Sequence, residues 1–344
     1  MSYKDNMIVP WESTLWETTR IIQGGDFIMK KLALLLGALS LVSSVAYAKE
    51  VVPAVEEVVV VEEVKAVEAA PALRVTSFGQ GLEIDNTSGG TADIGEAVHF
   101  SNSVGLAYGD NWTFGIMARK GWEMDTDNGI HGAGHRIDLD AWRDFGNYAL
   151  GARWRQEEDY DRFYLRGKYN YGMFSGDLDV AYTSTNGSKE TDGYYIEGTP
   201  VAVTVGPVTA GYYVKTEKDI ATGNGGHSGL DYWFRHQLRL SMPIYQGEKL
   251  NVGVQYAWEF ANNLETTKED TWAYKHDTNS HILWLNASYK VTENLTVAGY
   301  YEYDMFKWEE DGYKEGKELV GGNTAGKDSD RYYGEFFVGW TYTF

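Results

Sequence analysis

From residue 73 to the terminal Phe344, apolar and polar residues alternate in short runs. In residues 250–260 one set is Leu250, Val252, Val254, Tyr256, Trp258 and Phe260, and the interleaved set is Asn251, Gly253, Gln255, Ala257 and Glu259. Residues 163–171 repeat this, with Phe163, Leu165, Gly167, Tyr169 and Tyr171 set against Tyr164, Arg166, Lys168 and Asn170. Residues 295–306 do so again, with Glu302 and Asp304 on the polar side. Side chains of a strand point alternately to opposite faces, so each run predicts a strand with one greasy and one polar face.

Two kinds of gap separate the runs. Residues 109–111, 145–147, 172–175, 205–207, 242–248 and 291–294 are short. Residues 85–96, 123–134, 186–193, 217–229, 261–279 and 307–330 are long and polar, and a further outer gap, 157–161, is short. The two kinds interleave along the chain, as tight turns at one rim and long loops at the other would. The pattern predicts an all-β, antiparallel up-and-down barrel of about 14 strands, with 12 or 16 left open. Thr199-Pro200 interrupts the eighth strand and shifts its phase, which predicts a bulge. The first strand, residues 73–84, is Gly-rich with mixed faces.

Alternation alone does not say which face is inside, but the charges do. An Arg or Lys facing lipid costs about 2–4 kcal/mol at mid-bilayer, and burial in the dry core of a soluble sandwich costs more. A water-filled lumen accepts them. The expected architecture is therefore a transmembrane barrel in the outer membrane of a Gram-negative bacterium, with lipid outside and polar residues within.

The last strand strengthens this expectation. Phe336, Val338, Trp340, Tyr342 and Phe344 form one face, and Glu335, Phe337, Gly339, Thr341 and Thr343 the other. The segment resembles the barrel-assembly signal of bacterial outer-membrane proteins, Gly-x-x-aromatic-x-aromatic, with Gly339, Tyr342 and Phe344 in its places. The resemblance implies the barrel-assembly machinery as a partner. That signal usually carries a polar residue two before the glycine, where this chain has Phe337.

Ahead of the barrel (73–344) three segments differ in composition. Residues 29–48 read as a secretory signal peptide: Met29-Lys30-Lys31, an uncharged apolar stretch, then Ala46-Tyr47-Ala48. Residues 1–28 precede it, and Gln23-Gly24-Gly25 can be encoded by a purine-rich ribosome-binding sequence, so they are expected to be untranslated leader upstream of the true start. Residues 49–72, rich in Val, Glu, Ala and Pro, read as an acidic periplasmic tail. The alternative placement is in the barrel mouth, where such a tail would gate it.

Composition narrows the class. The chain has no cysteine, a formal net charge of −20 and 15% aromatic residues. Zero cysteine is compatible with export, and the acidic balance argues against nucleic acid. After the signal peptide no stretch approaches the ~18 apolar residues of a membrane helix.

Seven of the twelve arginines fall between residues 119 and 166. Parity turns Arg119, Arg136, Arg153, Arg155, Arg162 and Arg166 inward with Lys168, and puts Arg143 out of phase at the periplasmic rim. The tenth strand adds Arg235 and Arg239. Inward carboxylates are Asp138, Asp140 and Asp179, then Glu259, Glu302, Asp304 and Glu335. An Arg-rich wall opposite an acidic one would set a transverse field across a pore. Two readings follow: charges that merely pair and hydrate the lumen, or a constriction at Arg153, Arg155, Arg162 and Arg166 that binds anions. Because the third outer loop is so short, a constriction must come from wall side chains or the last two loops.

Three motifs lead nowhere. Residues 321–328 nearly spell a phosphate-binding loop, but Asp328 replaces its Ser or Thr and no strand-to-helix context surrounds it. Residues 125–129 resemble half a calcium loop, with the glycine one position early. The histidines, among them His99, His227, His236 and His281, lie far apart without metal-ligand spacing, so no metal, cofactor or catalytic set is expected.

Signal peptide, the tail opening Lys49-Glu50-Val51, aromatic barrel and terminal strand together resemble the major outer-membrane porins of fusobacteria. The resemblance implies passive diffusion of small hydrophilic solutes, no enzymatic activity, trimers, and exposed loops that adhere to host or bacterial surfaces. A surface adhesin anchored by its barrel is the alternative.

Overall fold

A strand needs hydrogen-bonding neighbours on both sides, and alternating strands joined in chain order supply them until only two edges remain. The computed structural model describes residues 72–87, 94–125, 129–185, 192–220, 230–268, 271–277, 279–306, 309–314, 317–319 and 331–344. The expected leader, signal peptide and all but the last residue of the acidic tail lie outside the described residues, as do residues 321–328 and most of the half calcium loop.

The strands are β1 (Leu73–Thr87), β2 (Ile94–Tyr108), β3 (Trp112–Asp125), β4 (Gly129–Asp144), β5 (Tyr148–Glu157) and β6 (Tyr160–Tyr171). They continue as β7 (Phe174–Thr185), β8 (Gly193–Val205), β9 (Val208–Asp219), β10 (Leu230–Gln246), β11 (Leu250–Lys268) and β12 (Thr271–Asp277). The last are β13 (Ser280–Lys290), β14 (Leu295–Phe306), β15 (Glu309–Lys314), β16 (Lys317–Leu319) and β17 (Arg331–Thr343). β1 to β11, β13, β14 and β17 form a closed 14-stranded antiparallel wall. β17 closes it onto β1, from Ser77 opposite Thr343 to Thr87 opposite Tyr333. Closure removes the last edge, which a lipid-facing sheet cannot leave open.

The short turns lie where expected. Gly172 and Gly206 open two-residue hairpins with φ of +65° and +60°, a conformation the hairpin requires and glycine adopts without strain. The bulge in β8 is also present: its pairing with β9 passes from Gly198 opposite Val214 to Val201 opposite Tyr212. Tyr195 and Glu197 face inward before it and Ala202 after it, so the phase flips.

The long-loop rim corrects several boundaries. β3 and β4 extend across most of the expected gap at 123–134, while at the opposite, short-turn rim β10 runs on to Gln246 within the expected turn 242–248. Glu217, expected in a loop, belongs to β9. Residues 261–279 and 307–330 were expected to be polar loops, yet β11 continues to Lys268 and β12, β15 and β16 extend its ladder beyond the wall. Strands with no lipid on either face need no hydrophobic period, so alternation does not reveal them.

The two faces are inverted relative to a soluble protein. Leu165 on the outer face is 74% exposed, while Arg155, Arg162 and Glu259 inside are 2%, 1% and 0% exposed. Apolar residues face out and charges face in.

Candidate functional site

The interior charges are organised by strand register. Asp138 stands opposite Arg155 and Asp140 opposite Arg153 in the β4–β5 ladder, and Arg166 opposite Asp179 in β6–β7. Unlike charges directly opposite stabilise a strand pair. Arg155 Nε donates to Asp138 Oδ1 at 3.0 Å, and Arg136, two residues along β4, donates to the same carboxylate. Asp140 Oδ1 accepts from Arg153 Nε at 2.9 Å and from Arg166 Nη1 at 2.6 Å. Arg166 Nε also donates to Asp179 Oδ2 at 2.9 Å.

One pairing runs against charge. Arg155 and Arg162 are direct cross-strand partners. Asp138 holds the first, and Glu217 on β9 accepts from Arg162 Nη2 at 2.7 Å. Aromatic faces take up the rest: the Arg155 guanidinium lies 5.2 Å from the Tyr164 ring centroid and that of Arg162 4.2 Å from Tyr195. The two like charges are thus drawn to separate partners.

A second cluster lies across β10, β11 and β14. Glu259 accepts from Arg235 Nε and Gln237 Nε2, both at 2.6 Å, and from Asn262 Nδ2 at 2.6 Å. Arg235 Nη2 is 3.8 Å from Asp304 Oδ2. Arg239 Nε donates to Gln237 Oε1 at 2.7 Å and its guanidinium lies 3.5 Å from the centre of the Tyr213 ring. Lys168 sits over Trp142 at 4.8 Å.

A third group is acidic. Asp85, Glu335 and Glu302 are successive cross-strand partners on β1, β17 and β14. Tyr300 and Tyr333 donate their hydroxyls to Glu335. Arg119 Nη1 is 3.5 Å from Glu83 Oε1.

Of the sixteen charged residues singled out by parity, ten are buried, Arg155 and Glu259 among them, whereas Arg143 is exposed, its guanidinium 5.0 Å from the Phe145 ring centre at the short-turn rim. What parity could not show is the pairing. The basic wall carries its own carboxylates, so the charge is balanced strand by strand rather than only across the lumen. Glu83, Tyr195, Lys215, Glu217 and Gln237 also take part, together with Tyr164 from the polar face expected in 163–171. Glu83 lies in the mixed-face first strand and Glu217 in an expected loop, while Tyr195 looks like a lipid-facing aromatic until register is known. Of the assembly-signal residues, Gly339 stands opposite Gly81, and Tyr342 and Phe344 form an edge-to-face pair at 5.2 Å.

Arg155, Arg162 and Glu259 are 2%, 1% and 0% exposed, so each relies on side-chain partners where solvent does not reach it. No family model and no curated protein matches the chain. Among solved structures, the anion-selective porin from Comamonas acidovorans is similar at 13% identity and a TM-score of 0.41, over 79% of this chain and 100% of that one. OmpF of Salmonella typhi, solved with daunomycin, shares 9% identity at 0.39, over 78% and 97%. The outer-membrane channel DcaP of Acinetobacter baumannii shares 9% at 0.37, over 81% and 99%. Likeness this remote leaves function to be argued from the site.

Proposed function

We propose that this chain, a Gram-negative outer-membrane β-barrel, is a channel through which small hydrophilic solutes diffuse passively. The observation that carries the reading is the inverted barrel: a closed wall with an apolar outside and an ion-paired, hydrogen-bonded inside. Barrels of about 8 strands are filled by their own side chains and those of about 16–18 leave an aqueous channel. Fourteen strands fall between the two cases and nearer the second.

Arg153, Arg155, Arg162 and Arg166 form the basic tier of the proposed constriction. Their pairing with Asp138, Asp140, Asp179 and Glu217 supports a tier that orders water and polar solutes with only a modest preference for anions. Membership of the fusobacterial porin group is part of the same proposal. So is a homotrimer. It is supported by Gln80 and Asn102, which hydrogen-bond at 2.8 Å on the outer face of β1 and β2, where lipid would meet a polar pair.

The ladder of β12, β15 and β16 projecting past the wall favours a second role for the same molecule, adhesion to host or bacterial surfaces.

Single-channel recording of the purified protein in a planar bilayer tests the proposal. Stable ohmic steps are expected. A folded barrel that gives none has a filled lumen, and the adhesin reading then replaces the channel.

A further inference from the structure

Arg239 differs from the other arginines of the interior. It lies on β10 in line with Arg235 and Gln237, 4% and 1% exposed, while Leu238 and Leu240 of the alternate face are 47% and 48% exposed. Its guanidinium is 3.5 Å from the centre of the Tyr213 ring and 5.5 Å from that of Trp284, and both rings are buried. Arg239 therefore points into the barrel, where it is half-buried.

The arginines from Arg119 to Arg235 that line the interior each have a carboxylate oxygen at 3.5 Å or closer. Arg239 has none among the described residues, and its Nε donates to the neutral Gln237 Oε1 at 2.7 Å. Glu259, next along that chain of bonds, is taken up by Arg235, Gln237 and Asn262. Glu197 and Glu302 act on Arg239 from beyond ion-pair distance, and Glu197 already accepts the hydroxyls of Tyr195 and Tyr213. The remaining donors, on the two Nη nitrogens, thus form a fork whose orientation is fixed and whose partner is missing among the described residues. A planar guanidinium held in this way presents parallel N–H groups, the geometry that matches a carboxylate.

We propose that Arg239, laid on Tyr213 and steadied by Gln237, is a binding subsite for small solutes that carry one carboxylate. The inference rests on the reading of the barrel as a channel and names a class of solute for it. Because the ring and the Gln237 bond fix the fork beforehand, a solute gains its hydrogen bonds with little ordering of the protein. Glu197 and Glu302 set the charge of the ligand. A solute with one negative charge meets the fork, whereas one with two is repelled by both carboxylates. Monocarboxylates are therefore favoured over inorganic phosphate. The tier of Arg153, Arg155, Arg162 and Arg166 has no arginine free of a carboxylate, so it offers no equivalent fork.

The test titrates the purified full chain in detergent with sodium benzoate, a small monocarboxylate, and reads bound benzoate by ligand-observed NMR. Heat-modifiable gel mobility checks that each variant is folded. Saturable binding is expected in the wild type. Arg239→Gln should weaken it at least about tenfold, and Arg239→Lys, which keeps the charge and loses the fork, by a smaller factor. In mildly alkaline buffer, where inorganic phosphate is mostly the dianion, phosphate should displace benzoate poorly. Absence of saturable binding by a folded wild-type barrel overturns the proposal. So does binding unchanged in both variants, or phosphate competing as well as benzoate. Channel recordings on the same preparation separate the two readings: conductance steps without benzoate binding remove the subsite and leave the channel, and Arg239-dependent binding without steps removes the channel and leaves the subsite.

Discussion

The Phe337 ring occupies the space that a side chain on Gly81 would need: a Cβ built there comes within 2.6 Å of the ring. The two residues sit on β17 and β1, the strands that close the barrel, and Phe337 also stacks on Tyr300 with centroids 5.4 Å apart. An inward aromatic laid over glycines thus fills the seam in place of the polar residue usual before the terminal glycine.

Gly81→Ala should therefore destabilise the barrel by about 1–3 kcal/mol, the usual cost of overpacking. Combining it with Phe337→Leu should recover part of that loss. Urea unfolding in lipid, read by tryptophan fluorescence, measures both, and equal losses in the single and double variants would refute the contact.

Asp138 anchors two buried guanidiniums, those of Arg136 and Arg155. Asp138→Asn keeps the shape and removes the charge, so about 3–5 kcal/mol of stability should go with it. Asp144→Asn, at an exposed turn, should change the same unfolding midpoint little.

Replacing Arg153, Arg155, Arg162 and Arg166 together with Ser should move the salt-gradient reversal potential toward cations. The carboxylates they now neutralise would be uncovered, so the shift should exceed that produced by removing any one. An unchanged potential would retire these arginines as determinants of selectivity.

Leu165 and Lys168 lie three residues apart on β6 and face opposite media. Leu165→Arg should cost about 2–4 kcal/mol, the price of a guanidinium near mid-bilayer. Lys168→Leu should leave folding into lipid largely intact. A reversal of that order would mean the inner and outer faces are exchanged.

Gln80→Leu with Asn102→Leu replaces the outward polar pair by side chains that lipid accepts. If that face meets further copies, the double variant should run as a monomer in mild detergent where the wild type runs as a trimer. Unaltered assembly would place the contact elsewhere.

The alternating residues of 163–171 and 250–260, the interleaved short and long gaps and the Thr199-Pro200 interruption were enough to specify a closed barrel of about 14 strands. Period-2 geometry makes this so: a strand between lipid and water must alternate, and a charge can go to one side only. The same logic fails where lipid is absent, so β12, β15 and β16 passed for loops. Partners were illegible for a different reason. Arg162 and Glu217 lie 55 positions apart, and Asp85, Glu335 and Glu302 come from opposite ends of the chain. His99 meets Glu83 only through the β1–β2 register. Which charge meets which is set by strand register and by closure of the wall, and those are decided by the whole set of ladders at once, not by any stretch of residues.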